Sequence, residues 1–386
     1  MRDETQNERE SEGQQISPQA RRIARLLLLG IGLLVGLGLC EVSLRAWTSL
    51  SPNGEDMFPD PLAILIEPYG ELGYKQRPGA VFEYPITGKH ATANAAGYRG
   101  PLVSVQKPAG VVRIVLLGGS ATHGWGVSDD ETIDSYMRSM LKSSHPNQTF
   151  EVVNLAFDAH DSWQMYERLR SDALPMDPDV VIMNAGVNDV RNGRYPNLQD
   201  RDPRTMIWEG ALHDLREGAR RGHVPLWLRV KHHVYLARVP AFLRSLQSDP
   251  GEHVQSDSGP YSDGLDYFER NVKRVTDASL DIGAAVLLST PPSSLESNFA
   301  PTDTSPRDYW ITNATTTQEY RDSLAARMHQ VQEEYAAEGQ PVFYLGVEVP
   351  GGEFLDDAHL TADGNRLLAA AFVDQVSTIL DDSAGR

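Results

Sequence analysis

The sequence predicts an α/β protein, a three-layer α/β/α sandwich around a parallel sheet of about five strands, carried behind one N-terminal transmembrane helix. Two observations predict it. From Val111 onward, short β-rich runs alternate with helical stretches, the pattern of a parallel sheet covered by helices. Upstream, a charge-free apolar run from Leu26 to Cys40 follows Arg21, Arg22 and Arg25. A chain of 386 residues is too long for one small domain and holds one large α/β domain with attachments. Its 40% hydrophobic content is enough for a substantial core.

Residues 1–22 read as a polar, disordered cytoplasmic tail, rich in Gln, Glu and Ser. At ~1.5 Å per residue the run to Cys40 reaches about 22 Å, short of the ~30 Å hydrocarbon core. A helix over 23–47 closes the gap, with Arg25 and Arg45 snorkelling, Glu41 near the outer edge and Trp47 at an interface. A cleaved signal peptide lacks a convincing A-x-A site. A lipoprotein on Cys40 lacks a small residue before the cysteine, since Leu39 stands there. The segment is read as a signal anchor, with the arginine-flanked tail inside and everything after Trp47 outside.

The formal net charge is -18, from 53 acidic and 35 basic residues. That balance argues against nucleic acid or an anionic membrane surface as a broad partner, because both call for positive charge. Cys40 is the single cysteine, so neither an intrachain disulfide nor a cysteine zinc cluster is expected. No cofactor or metal is implied.

Residues 48–107 are rich in Pro, Gly and aromatic residues without helical period. They read as an extended lead-in over the main domain, ending in Asn94-Ala-Ala-Gly-Tyr-Arg-Gly100. The main domain is placed at 108–386. Its expected strands are Val111–Leu117, Phe150–Leu155, Val180–Asn184, Ala284–Thr290 and Pro341–Leu345. Helical patterns fall near 131–143, 162–173, 262–280, 317–338 and 362–380. An insertion over about 191–262 has a basic, amphipathic centre from Leu226 to Leu246, read as a helical excursion or as a lid or membrane-facing surface. His232 and His233 within it are adjacent and diverge on a helix, so they are not read as metal ligands.

Three constellations carry chemistry. Val115-Leu-Leu-Gly-Gly-Ser120-Ala-Thr-His-Gly-Trp-Gly126 is a strand running into a glycine-rich turn. It lacks the Lys-Ser/Thr of a P-loop and the third glycine of a dinucleotide fingerprint. Ser120 is left at the carboxyl end of the first strand, as a helix cap or a nucleophile. Ala185-Gly-Val-Asn188-Asp189 follows the third strand, where Asn188 is a turn former or an oxyanion donor. Phe354-Leu-Asp356-Asp-Ala-His359 precedes the last helix. A carboxylate three residues before a histidine can hold its ring across one turn, leaving the other nitrogen to take a proton.

Together these blocks resemble the SGNH/GDSL hydrolases, over roughly 111–380. Leu117-Gly-Gly-Ser120 looks like the first block, Gly186-Val-Asn188-Asp189 the third and Asp356-Asp-Ala-His359 the fifth. The resemblance implies a flavodoxin-like strand order 2-1-3-4-5, with Ser120 as nucleophile, His359 as base and Asp356 as its orienter. The oxyanion hole would use the Ser120 N–H, the Asn188 side chain and the N–H of residue 159. Two departures stand out. Gly119 replaces the family's aspartate, and Ala159 stands where a glycine donates an oxyanion N–H. An alanine there keeps the N–H, but a positive φ would cost it about 1 kcal/mol.

The lead-in motif and Glu41-Val-Ser-Leu-Arg45 also look like a membrane-bound bacterial branch of this family. The expectation is a serine-dependent ester hydrolase, single-pass in the inner (cytoplasmic) membrane, its catalytic domain extracytoplasmic. Its partners would be an acyl or acetyl ester, a cell-surface polysaccharide and the membrane. The alternatives are a polysaccharide O-acetyltransferase with the same triad, or a catalytically weak glycan- or partner-binding scaffold.

Overall fold

A computed structural model describes residues 17–50, 65–69, 72–84, 87–189, 215–216, 218–219, 226, 234–239, 262–294 and 314–384. The chain divides into two compact units, Met1–Phe58 with Val234–Val239, and the remainder. Most of the 191–262 insertion, including His232, His233 and the bulk of its amphipathic centre, lies outside the described residues.

The first unit is built on helix α1 (Pro18–Leu50). Its stretch Gln19–Trp47 has a mean hydropathy of 2.3 and is unburied. That is the length and composition shared by membrane anchors and signal sequences. Near its far end the Glu41 carboxylate accepts the backbone N–H groups of Tyr235 (2.9 Å) and Leu236 (3.0 Å). Arg45 completes the group, pairing with Glu41 at 2.8 Å and lying 4.5 Å over the Tyr235 ring. Glu41 thus caps the short 3₁₀ turn Tyr235–Arg238, satisfying donors that such a turn leaves open.

The second unit opens with two hairpins where the sequence suggested only extended chain. The first joins β1 (Ile66–Tyr69) to β2 (Gly73–Gln76), the second β3 (Val81–Glu83) to β4 (His90–Thr92). Gly73 sits at φ 90, and a Cβ there would meet the backbone of Leu215 and Arg216 at 2.7–2.8 Å.

Then follow β5 (Val111–Gly118), α2 (Ser120–His123), α3 (Ile133–Ser144), β6 (Thr149–Asn154), α4 (Ser162–Arg168), β7 (Val180–Asn184), α5 (Ser262–Leu280), β8 (Ala285–Thr290), α6 (Ala314–Ala337), β9 (Val342–Gly346) and α7 (Ala362–Ala384). The last five strands form one parallel sheet in the order β6-β5-β7-β8-β9, the 2-1-3-4-5 arrangement expected. Alternate strand residues feed two cores. Val115, Leu117, Val181, Met183, Val286 and Leu288 pack with α4, α5 and α6, while Ile114, Leu116, Ile182 and Leu287 pack with α3 and α7. This is the three-layer sandwich.

One helix is shorter than its pattern. The stretch 162–173 is α-helical only to Arg168, widens to a π turn over Leu169–Ala173 and closes in a 3₁₀ turn at Leu174–Met176. Pro175 lacks the N–H a continued helix needs, and its ring crowds the preceding turn.

Register then fixes where function can sit. Gly118, Asn184 and Ser289 are in one row across β5, β7 and β8. The segments carrying Ser120 and Asn188 therefore leave the sheet at the same carboxyl edge, where open α/β sheets bind ligands.

Candidate active site

Gly119 leaves β5 in extended conformation (φ -91, ψ -157) and Ser120 starts α2. The Ser120 N–H is therefore one of the donors a helix start leaves unpaired, and among the described residues it meets no protein acceptor. Gly124 closes α2 at φ 87, a left-handed position that suits glycine.

The histidine arrives on a self-braced turn. Asp356 Oδ1 accepts the backbone N–H of Ala358 (2.9 Å) and of His359 (2.7 Å). Its Oδ2 lies 2.5 Å from His359 Nδ1, and His359 Nε2 lies 2.7 Å from Ser120 Oγ. Ser294 holds the turn from the β8 side, its Oγ donating to Asp356 O (3.0 Å) and its N–H to Asp357 O (3.1 Å). The structure so brings Ser120, His359 and Asp356 into one hydrogen-bonded row. Burial disfavours the charged imidazole, but the Asp356 carboxylate, with Asp357 and Asp158 behind it, outweighs it, and the His359 pKa is raised. Burial likewise pushes against the Asp356 carboxylate, yet His359 and the two backbone donors hold its pKa below the usual range.

Asn188 and Ala159 come to the same place. Ala159 is one of two described non-glycine residues at positive φ, at 60, and its N–H has no protein acceptor among the described residues. Asn188 Nδ2 donates to His160 O at 2.9 Å, which leaves the second amide hydrogen for another acceptor. Gly119 lies beneath that amide. A Cβ on Gly119 would fall 2.3 Å from Asn188 Nδ2, so the glycine in place of the family's aspartate leaves room for the Asn188 side chain.

A buried network ties these two segments together. Ser162 donates from its N–H (3.1 Å) and its Oγ (2.5 Å) to Asp189, and Asn271 Nδ2 donates to Ser162 Oγ at 3.1 Å. Arg216, one of the few described insertion residues, donates to Asp161. Burial and the neighbouring Asp161 push the Asp189 carboxyl up. Burial first, and then the Arg168 charge, push His160 down to about 3, so it stays neutral.

Sequence reasoning missed several residues here. Arg99 is fully buried and bonded to the turn that follows Ser120. Trp125 lies on the His359 ring, centroids 4.5 Å apart at 33°, with the Tyr84 ring against it. Asp158 sits 3.3 Å from His123 Nδ1, and His123 Nε2 is 3.2 Å from Gln76 Oε1. The available signal for Arg99 was the Asn94–Gly100 motif that contains it. Among the described residues no group of three or more His, Cys, Asp or Glu side chains is placed to hold a metal ion.

Residues 116–367 match the model of the GDSL-like Lipase/Acylhydrolase family, more than half of the chain. The chain belongs to this family. As a GDSL-like enzyme it is an ester hydrolase of the SGNH type. Solved structures similar to it include a catalytic mutant of Axe2, an acetylxylan esterase from Geobacillus stearothermophilus (14% identity, 68% of this chain and 93% of that one, TM-score 0.40). Others are an α/β hydrolase from the metagenome of Lake Arreo, Spain (15%, 69% and 96%, 0.40) and a GDSL-like lipase from Bacteroides thetaiotaomicron (12%, 69% and 88%, 0.36). Comparison with curated proteins finds no match.

Proposed function

We propose that this GDSL-like hydrolase cleaves acyl or acetyl esters in the cell envelope through Ser120, His359 and Asp356. Ser120 Oγ attacks the ester carbonyl carbon as His359 Nε2 takes its proton. Asp356 keeps the Nδ1 proton in place and steadies the imidazolium. The oxyanion is met by the N–H groups of Ser120 and Ala159 and the Asn188 amide. Collapse breaks the C–O bond, and the departing alcohol takes the proton from His359. Water then attacks the acyl-serine by the same steps and releases the acid. One observation carries this reading, the row Ser120 Oγ, His359 and Asp356 at 2.7 and 2.5 Å at the sheet's carboxyl edge.

The location is part of the proposal. An unburied helix over Gln19–Trp47, apolar after Arg21, Arg22 and Arg25, supports a single-pass anchor in the inner membrane, domain outward. Behind it we read a lead-in over 48–107 and a hydrolase domain over 108–386. In the envelope an acetylated cell-surface polysaccharide is the substrate class within reach.

The test is turnover of p-nitrophenyl acetate and longer acyl esters by the detergent-solubilised full chain beside Ser120→Ala. Loss of about 10⁶ in kcat is expected in the mutant. Undiminished turnover would remove Ser120 from the mechanism. Labelling of Ser120 by a phosphonate without ester turnover would instead direct the acyl group to a sugar hydroxyl, the O-acetyltransferase.

A further inference from the structure

We propose that Arg99, in the lead-in, is a positioning residue for ester hydrolysis: it fastens the turn after the nucleophile so that Trp125 holds the plane of the His359 ring. The inference rests on the reading of His359 as the general base.

Arg99 is a buried cation, its side chain 0% exposed, and a buried charge is costly unless every donor is met. All five N–H groups of a guanidinium have acceptors here, and all of these lie between residues 123 and 129. Nη1 donates to Gly124 O (2.6 Å) and His123 O (3.2 Å), Nη2 to Val127 O (2.9 Å) and Asp129 Oδ1 (2.7 Å), and Nε to Asp129 Oδ1 (2.9 Å). The segment so gripped lies between α2 and the 3₁₀ turn Asp129–Glu131, and its own bonds are few, Trp125 N–H to Ser120 O (3.1 Å) and Val127 N–H to Gly124 O (3.4 Å). Gly124 and Gly126 both take left-handed conformations, at φ 87 and 82, and Trp125 stands between them. Arg99 thus holds carbonyls on both sides of Trp125. Its own backbone is bridged to Asn154 at the end of β6, so the grip is anchored to the sheet.

Trp125 supplies what the other partners of His359 do not. Ser120 and Asp356 bond to the two ring nitrogens, in the plane of the imidazole, and restrain its tilt weakly. The indole lies on the ring face. Tyr84 backs the indole at 5.4 Å, and Leu355 of the histidine turn fills the space beside Gly126. A ring fixed in plane and tilt is one that meets both the serine and the departing alcohol, and small misplacements of such a group are costly.

The test uses the full chain in detergent and reads tryptophan emission between pH 4 and 9 alongside kcat and KM. A protonated imidazole in contact with an indole quenches its emission, so the contact reports His359 titration without any turnover. The part of the signal lost in both Trp125→Phe and His359→Ala belongs to the pair. In Arg99→Met that part should shrink by more than half, with kcat down between about tenfold and a hundredfold and KM little changed. Arg99→Lys, which keeps the charge but fewer bonds, should fall between. A folded Arg99→Met with lower thermal stability but wild-type emission step and kcat would reduce Arg99 to a structural clamp and overturn the proposal. Should Arg99→Met fail to fold, Trp125→Leu decides. Opening the ring to water eases the burial that opposes its charge, so the acid limb of kcat should move to higher pH as kcat falls, and an unmoved limb with unmoved kcat overturns the proposal. Phosphonate labelling of Ser120 separates the two levels. An unlabelled wild type whose emission step persists sinks the general-base reading and the positioning role with it. A labelled wild type with an indifferent Arg99→Met sinks the positioning role alone.

Discussion

In the histidine turn, Asp356 accepts the N–H groups of Ala358 and His359 and grips the ring with its second oxygen, all within four residues. The serine turn is held from elsewhere. Thr122 in it is bonded by Asn154 from β6 and Asn184 from β7, Gly119 is covered by Asn188, and the carbonyls of His123, Gly124 and Val127 are held by Arg99. The bonds that aim the imidazole nitrogens are local, with Ser294 and Trp125 bracing them from outside, whereas the serine turn is assembled almost wholly by the fold. The two halves should break differently. The histidine turn should fail chemically with its shape intact, whereas the serine turn should fail when any of several distant neighbours moves.

Short of removing the nucleophile itself, the largest effect belongs to the local half. Asp356→Asn leaves an isosteric side chain but no charge, and kcat should fall by about 10⁴. The sign of the pH effect follows from the same change. The carboxylate raises the His359 pKa, so its loss lets the base stay neutral to lower pH, and the acid limb of kcat shifts downward. A pH-rate profile of the residual activity checks it, and a limb that moves upward would mean that Asp356 does not set the charge of the ring. Next is Gly119→Ala on the assembled half. The new Cβ would lie 2.3 Å from Asn188 Nδ2 and displace an oxyanion donor, a loss of about 10²–10³ in kcat with KM largely kept. An active Gly119→Ala would show that the Asn188 amide does not meet the oxyanion.

The same contrast explains what the sequence disclosed. The alternation of strands and helices, and hence the sheet and its order, is repeated in every element from Val111 onward, and a long periodic signal is legible. The Asp356-x-x-His359 spacing is legible because its geometry closes within one turn. Arg99 was not, because nothing in its neighbourhood says that its five donors will meet three carbonyls 24 to 28 positions away and a carboxylate 30 positions away. The two hairpins of the lead-in escaped for a related reason. Their strands are three or four residues long, too short for an alternating pattern to rise above its Pro- and Gly-rich surroundings. The pattern over 162–173 stops just before Pro175, and what it did not disclose is that the backbone widens to a π turn after Arg168.

A smaller effect separates fold from chemistry in the serine turn. Thr122 Oγ1 accepts from Asn184 Nδ2 at 3.1 Å in a fully buried position. Thr122→Val keeps the shape but leaves that donor unpaired, which should cost about 1–3 kcal/mol in urea unfolding. Native-like stability would mean that Asn184 finds a second acceptor.

The smallest expected effect tests the strained residue. Ala159 at φ 60 bears a left-handed conformation that costs an L-residue about 1–2 kcal/mol, at the point where the proposed mechanism has its N–H meet the oxyanion. Ala159→Gly relieves that strain and loses part of the gain, about 0.4–1 kcal/mol, to the freer unfolded chain. The net result should be a stabilisation below about 1 kcal/mol, read as a small rise in the urea midpoint. Because glycine keeps the same N–H in the same place, kcat on acetyl esters should be unchanged. A rise in kcat on longer acyl chains alone would show instead that the Ala159 methyl limits the acyl group, making this residue a size filter. A fall in stability would show that the turn is held so firmly by Ser162 and Asp189 that the alanine bears no cost there.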